Sequence, residues 1–390
     1  MTSLPPFLMT SEPGTFARHT IEDRKPIIID QVMADFDYTP SILKDLVAFK
    51  DELAHDHIKP LHEETSDKDI WDKALHPYLN KTWLELPWYL AESFFYRRVL
   101  EIVKYFQPGP WNYKDPYMLL KEKELSDALP ILSANYPLKQ AQTILEHFQC
   151  ACYQALWGNR GDLSNLNTFE TDMGTQTERI ILDQAEAAFH LLEKKPSKVA
   201  YFMDNVGREL FFDLALIDFL LNAGLAKTVT CYVKNQPFFV SDAMPKDVQK
   251  SLDLLFSSSD NEISQLGNRL RASLRSRLLI LEAPPFFTTS LMYREMPNVL
   301  RAKIATYDLT ILKGDVNYRR LFGDRHWPPT TKVGEAAGYF PSSFLSLRTL
   351  KGELILGLSN EIIERIDQEA DPDWLINGKR GMITFLDKSS

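Results

Sequence analysis

The sequence predicts an α/β protein: a mainly parallel sheet with helices on both faces, preceded by a helical amino-terminal part. Three observations carry that prediction. Through residue 195 the apolar residues recur mostly at helical spacing. From Pro196 onward, short apolar β-type runs alternate with helical stretches, the pattern of a parallel sheet with crossover helices. Polar residues also follow several of those runs directly, and in open parallel sheets ligands bind outside the carboxyl ends of the strands. The chain therefore divides into a helical part, 1–195, and an α/β part, 196–390.

The helical part takes shape in order. Ser41 to His55 places Ile42, Leu43, Leu46, Val47 and Leu53 near one helical face behind a Thr39-Pro40 start. Trp83 to Tyr105 is an aromatic-rich helix carrying Arg97 and Arg98. Lys139 to Trp157 and Glu178 to Lys194 are amphipathic helices, with loops at Gln107 to Pro116 and Trp157 to Asn167. In the α/β part, strands are expected at Lys198 to Met203, Thr228 to Val233, Arg277 to Leu281, Asp308 to Leu312, Glu353 to Leu356 and Met382 to Leu386. Helices are expected at Glu209 to Ala223, Lys246 to Phe256 and Pro297 to Thr306.

Composition narrows the function classes. A 44% hydrophobic content over 390 residues gives a sizeable core. The net charge of −9 without a long basic run argues against a nucleic-acid binder. The most apolar helical run, Leu210 to Leu221, is too short to span a bilayer and holds Asp213 and Asp218. Met1 to Met9 lacks the basic-then-apolar pattern of a signal peptide, so a cytoplasmic location, with or without the nucleus, is expected. Cys150, Cys152 and Cys231 lack disulfide or zinc spacing and read as reduced buried thiols. His55 and His57 read as surface residues. The oligomeric state is open.

The central stretch runs from Val199 to Glu209. An apolar strand ends at Asp204 and Asn205, turns at Gly207 and enters a helix at Glu209. Asp and Asn offer hard oxygen ligands suited to magnesium, manganese or a similar divalent ion. Glu209 either favours the helix dipole or grips a ligand. Asp242, in Phe239-Val240-Ser241-Asp242, is either a helix cap or a third metal ligand. Lys313, Gly314, Asp315, Val316 and Asn317 follow a later strand and combine a cation, a carboxylate and a close-approach glycine. Arg348 and Lys351 add cations. No GxGxxG, Walker A, HExxH or GxSxG pattern is present. Asp35-Phe36-Asp37-Tyr38-Thr39 matches the DxDxT nucleophile motif of haloacid-dehalogenase-type phosphatases, with Asp35 as nucleophile and Asp37 as acid/base. That motif must end a buried strand, and the competing reading is a helix-capping segment.

Taken in order, these motifs resemble the damage-control metal phosphatase family, once catalogued as a domain of unknown function. Arg348-Thr349-Leu350-Lys351 is similar to the Arg-Thr-x-Lys motif of the subfamily also described as acidic-residue (protein-glutamate) methyltransferases. Gly14-Thr15-Phe16-Ala17, Pro87-Trp88 through Tyr96-Arg97-Arg98, and Leu156-Trp157-Gly158-Asn159 extend the resemblance over nearly the whole chain. It implies a three-layer α/β/α Rossmann-like core. It implies a divalent metal (Mn, Ni, Co or Mg) at Asp204, Asn205 and Asp242. Substrate contacts are implied at Glu209, Asp242, Lys313 to Asn317 and Lys351. The implied activity is hydrolysis of small phosphorylated metabolites, sugar phosphates such as fructose 1-phosphate among them.

The expectation is a metal-dependent phosphomonoesterase in which Asp204, Asn205 and Asp242 hold the ion. Lys313 and Lys351 would neutralise phosphate, and Asp315 would orient water or act as acid/base. Trp88, Arg97, Arg98 and Trp157 are candidates for specificity. An S-adenosylmethionine-dependent carboxyl methyltransferase is the alternative, and the missing glycine-rich loop counts against it. A non-catalytic phosphosugar sensor is the third reading.

Overall fold

The computed structural model describes residues 4–136, 141–158, 179–369 and 371–388. Its centre is a sheet of β1 (Ile180–Asp183), β2 (Ser197–Phe202), β3 (Ala226–Tyr232), β4 (Leu279–Glu282), β5 (Leu309–Lys313), β6 (Ser343–Thr349) and β7 (Gly381–Leu386). The spatial order is β1-β7-β6-β5-β2-β3-β4. All neighbours pair in parallel except β6 with β7, so β1 and β7 run opposite to the other five.

Side chains on a strand alternate between faces, and β2 divides accordingly. Val199 and Tyr201 join one apolar cluster with the helices Met118–Asn135, Ile144–Trp157 and Arg208–Asn222. Ala200 and Phe202 face the opposite cluster with Phe287, Leu300 and the helix Gly314–Phe322. This is a sheet covered on both faces.

A third cluster belongs to the amino-terminal helices. Its axis is Trp88–Ile102, a helix buried all round, which requires packing partners on every side. One of them is the α/β part: Asp324 Oδ2 accepts from Tyr89 N at 2.8 Å, an anion at a helix N-terminus.

Most expected elements are present within a residue or two. Four differ. Ile180–Asp183 is the strand β1 where a continuous helix was expected, and only Ala185–Leu192 of that stretch is helical. Glu353 to Leu356 forms no strand. Ser343–Thr349, not foreseen, is a fully buried strand. Its Ser343, Ser346, Arg348 and Thr349 interrupt the apolar run that would have announced it. Ile27 to Ile29 lies in the helix Lys25–Asp35, and Thr39 caps the helix Pro40–His55. Asp35 therefore ends a helix, and the haloacid-dehalogenase reading of Asp35 and Asp37 is excluded. The expected loop and motif residues Asn159 to Asn167 lie outside the described residues.

Candidate functional site

Beyond β2 the chain does not leave the sheet at once. Met203 N donates to Tyr232 O at 3.0 Å. Ala243 N then donates to Asp204 O at 2.8 Å, and Val206 N to Ser241 O at 2.7 Å. Asn205 and Asp242 thus form an antiparallel bridge. Two segments 36 residues apart are locked side by side, which brings the Asp204 and Asp242 carboxylates together. Gly207, at φ +86°, turns the chain into the helix Arg208–Asn222, a left-handed conformation natural to glycine.

β5 delivers Gly314 to the same place. A Cβ on Gly314 would lie 1.8 Å from Asp204 Oδ2, and its φ is +76°. Only a residue without a side chain lets this backbone lie against the carboxylate. Asp315 follows, and its Oδ1 accepts from Arg348 Nε at 2.7 Å. Arg348 is fully buried over the Tyr318 ring, 4.1 Å from its centroid.

The ends of β2, β3, β5 and β6 meet the helical part around a cavity of about 500 Å³. Asp204, Asn205, Glu209, Asp242, Asp315, Val316 and Lys351 line it. Lys313, Gly314 and Asn317 do not. The Lys313 ammonium lies behind the wall, 2.9 Å from Glu209 Oε1 and 3.0 Å from Asp213 Oδ1. Asn317 Nδ2 donates to Lys313 O at 2.7 Å, and its Oδ1 accepts from Tyr293. The expectation that Lys313 faces phosphate is thus corrected: two carboxylates claim its charge, and it positions Glu209. Of the specificity candidates only Trp88 lines the cavity. Arg97 pairs with Asp67 at 2.7 Å, Arg98 with Glu101, and Trp157 sits in the core.

Residues not foreseen complete the wall. Lys25, Glu92, Tyr96, Glu124 and Arg319 line it from distant parts of the chain. Lys121 stands behind it, and its ammonium donates to Asp115 Oδ2 at 3.0 Å and to the Asp242 carbonyl at 2.9 Å. Arg319 and Tyr96 belong to motifs read from the sequence without a site role, whereas Lys25, Glu92 and Glu124 sit alone in ordinary helical stretches that no local pattern marks.

The electrostatics at the acidic end are unbalanced. Burial, then the charges of Glu209 and Asp242, pushes the Asp204 carboxyl well above the carboxylate range. Burial pushes Asp242 up to about 6 against the opposing charge of Lys234, 3.0 Å away. Burial likewise lifts Asp213 to about 7, opposed by Lys313. Asp242 Oδ1 is buried and accepts no hydrogen bond among the described residues. Asn205 Nδ2 bridges Asp204 Oδ2 and Glu209 Oε2, both at 3.0 Å, and its Oδ1 accepts from Ser241 at 2.7 Å. Among the described residues no three His, Cys, Asp or Glu side chains form a closed cage. Two carboxylates and one amide suit a hard divalent ion that keeps positions for water and a phosphate oxygen. The residues present fit such an ion.

Fold and site define a class: α/β proteins whose parallel strands deliver an acidic, hard-oxygen site beside buried cations. Comparison with known proteins narrows it. The model of the damage-control phosphatase ARMT1-like domain matches residues 20–366. Relatives named damage-control phosphatase ARMT1 are 29% identical in Mus musculus and 28% in Homo sapiens, each alignment covering 99% of this chain and 99% of the relative. The one from Danio rerio is 27% identical, covering 98% and 97%. The crystal structure of a DUF89 family protein from Pyrococcus horikoshii shares the fold, with a TM-score of 0.50 at 14% identity over 95% of this chain and 97% of that one.

The chain belongs to the damage-control phosphatase ARMT1-like family. It is a hydrolase of phosphate esters that works with a divalent metal ion.

Proposed function

We propose that the chain hydrolyses sugar monophosphates at the cavity, with Asp204, Asn205 and Asp242 holding the divalent ion. The carrying observation is the pairing of two buried carboxylates across the Asn205–Asp242 bridge, with Gly314 against one of them. When bound, the ion supplies Lewis-acid charge to the phosphoryl oxygens and makes water a stronger acid. Manganese, magnesium, cobalt and nickel all accept this donor set.

The chain's own residues do the rest. Lys351 lines the cavity and offers its ammonium to phosphate. Burial lowers its pKa while the charges of Glu209, Asp204 and Asp315 hold it up. Glu209 is fixed by Lys313 and Asn205, so its carboxylate meets the substrate in one orientation. Asp315 is held by Arg348, which leaves its second oxygen to orient a water or accept a proton. The first turn of Arg208–Asn222 adds backbone N–H groups at a positive helix end.

The test is Asp204→Ala, assayed with a sugar phosphate across a panel of divalent metals, with and without EDTA. Activity is expected below a hundredth of wild type, beyond the roughly 10–100-fold cost of losing an outer-shell partner. The rise in Tm on adding metal should also vanish. Full activity in the folded variant would overturn the assignment. Titration with S-adenosylmethionine, expected to show no binding, separates the methyltransferase alternative.

A further inference from the structure

The cavity is lined by a second charged cluster besides its acidic end, and that wall is built differently. We infer that Lys25 and Glu92, both from the helical part, are specificity-determining residues that read the phosphate-free end of the substrate as a neutral, hydroxylated group. This rests on the reading of the acidic end given above.

Both residues line the cavity, and both are almost wholly buried, at 3% and 5% exposure. Lys25 Nζ donates to Glu92 Oε1 at 2.8 Å and to Tyr96 OH at 3.1 Å. An ammonium has three protons, so one is left for a ligand. Arg319 Nη1 donates to Glu92 Oε2 at 2.6 Å, and Asp324 accepts from Nε and Nη2 of that guanidinium at 2.7 and 2.9 Å. Each Glu92 oxygen has one donor here and room for a second. Trp88 lies flat under Arg319, with the guanidinium 3.4 Å from the ring centroid, and offers an apolar edge to the same space.

Charge and distance set the ligand. Lys25 and Arg319 balance Glu92 and Asp324, so this network of four carries no net charge, with Arg24 lining the cavity outside it. A second phosphate would find no net charge in the network to attract it. A hydroxyl finds a donor on Lys25 and an acceptor on Glu92. The helix Gly314–Phe322 is the ruler: Gly314 touches Asp204, and Arg319 stands five residues on. That is roughly 7.5 Å along the axis at about 1.5 Å per residue, a span suited to a sugar carrying phosphate at one end. The pattern favours monophosphates over bisphosphates of the same sugar.

The test compares three substrates on the full chain with saturating manganese: a hexose monophosphate, the corresponding bisphosphate and para-nitrophenyl phosphate. Lys25→Met leaves Glu92 paired with Arg319, so the fold persists. It should lower the monophosphate-to-aryl ratio of kcat/KM at least tenfold. Glu92→Gln makes the wall net positive and should raise the bisphosphate-to-monophosphate ratio at least tenfold, while Lys25→Met moves that ratio the other way. Tyr96→Phe keeps every charge, and should shift the monophosphate-to-aryl ratio downward by a smaller factor. Unchanged ratios, or shifts in one direction for both charge variants, overturn the inference. A wild type that cleaves the aryl phosphate but prefers the bisphosphate overturns the wall and leaves the acidic end standing. A wild type inert to all three overturns the acidic-end reading, and this one with it.

Discussion

The two ends of the cavity bury charge in opposite ways. At the acidic end Asp204 and Asp242 are raised by burial that nearby lysines only partly offset. At the far wall burial would also raise Glu92, yet Lys25 and Arg319 outweigh it and bring the carboxyl down to about 2. Both carboxylates and Glu92 come from well-packed segments. The difference is partners: Glu92 receives two full cations, whereas Asp242 Oδ1 accepts no hydrogen bond among the described residues. A balanced network stabilises a fold and selects by shape. An unbalanced one stores electrostatic cost that a bound cation relieves.

The sharpest way to break this contrast is at Gly314. Gly314→Ala puts a methyl onto Asp204 Oδ2 at a left-handed backbone position. Activity should fall about 10²-fold or more, the cost of roughly 1 Å of misplacement in a catalytic site, while far-ultraviolet circular dichroism stays native. Wild-type turnover in this variant would show that the close approach is dispensable.

Next comes Lys121→Met, which frees the Asp242 segment from the helix Met118–Asn135. Metal affinity, read by titrating activity with manganese, should weaken about 10–100-fold. The ratio of kcat values at saturating metal should change far less.

The far wall is expected to answer in stability. Glu92→Gln leaves Lys25 and Arg319 short of one charge and should cost about 3 kcal/mol in denaturant unfolding at neutral pH. The sign with pH follows from the lowered carboxyl. The folded value of about 2 lies below the ordinary 4.5, so the stabilisation is complete above about pH 4.5 and lost as pH falls toward 2. The gap between wild type and variant should close across that window. A gap independent of pH would mean that the charge of Glu92 is not what holds the wall.

The smallest effect belongs to an exposed pair remote from both ends. Lys50→Ala removes a partner of Asp30, 2.6 Å away at the surface. Unfolding should shift by less than about 1 kcal/mol, with activity unchanged. A larger shift would mean that surface pairs contribute as buried ones do.

Much of the acidic end was legible in the chain, because strands announce themselves and polar residues ending an apolar run stand out. Asp204, Asn205, Glu209 and Asp242 were found that way, and all four line the cavity. Lys313 was legible as a cation at a strand end but not in its orientation. Asp213, one helical turn from Glu209, draws its ammonium behind the wall, and no strand pattern predicts that. β6 escaped notice because Arg348 and three hydroxyl residues break its apolar run, their polarity being satisfied only by tertiary partners such as Asp315. The far wall was illegible for a different reason. Glu92 meets Lys25 and Arg319 across 67 and 227 residues of sequence.

By itself the sequence determined the α/β class, the strands that carry the acidic residues and the oxygen chemistry of the site, because these follow from local periodicity and residue type. Only the tertiary structure decided which cations face the cavity, which are consumed behind it, and that Lys25 and Glu92 of the helical part join Arg319 of the α/β part in one network beside it. Those outcomes depend on which distant groups win each buried charge, and that competition exists only once the chain is folded.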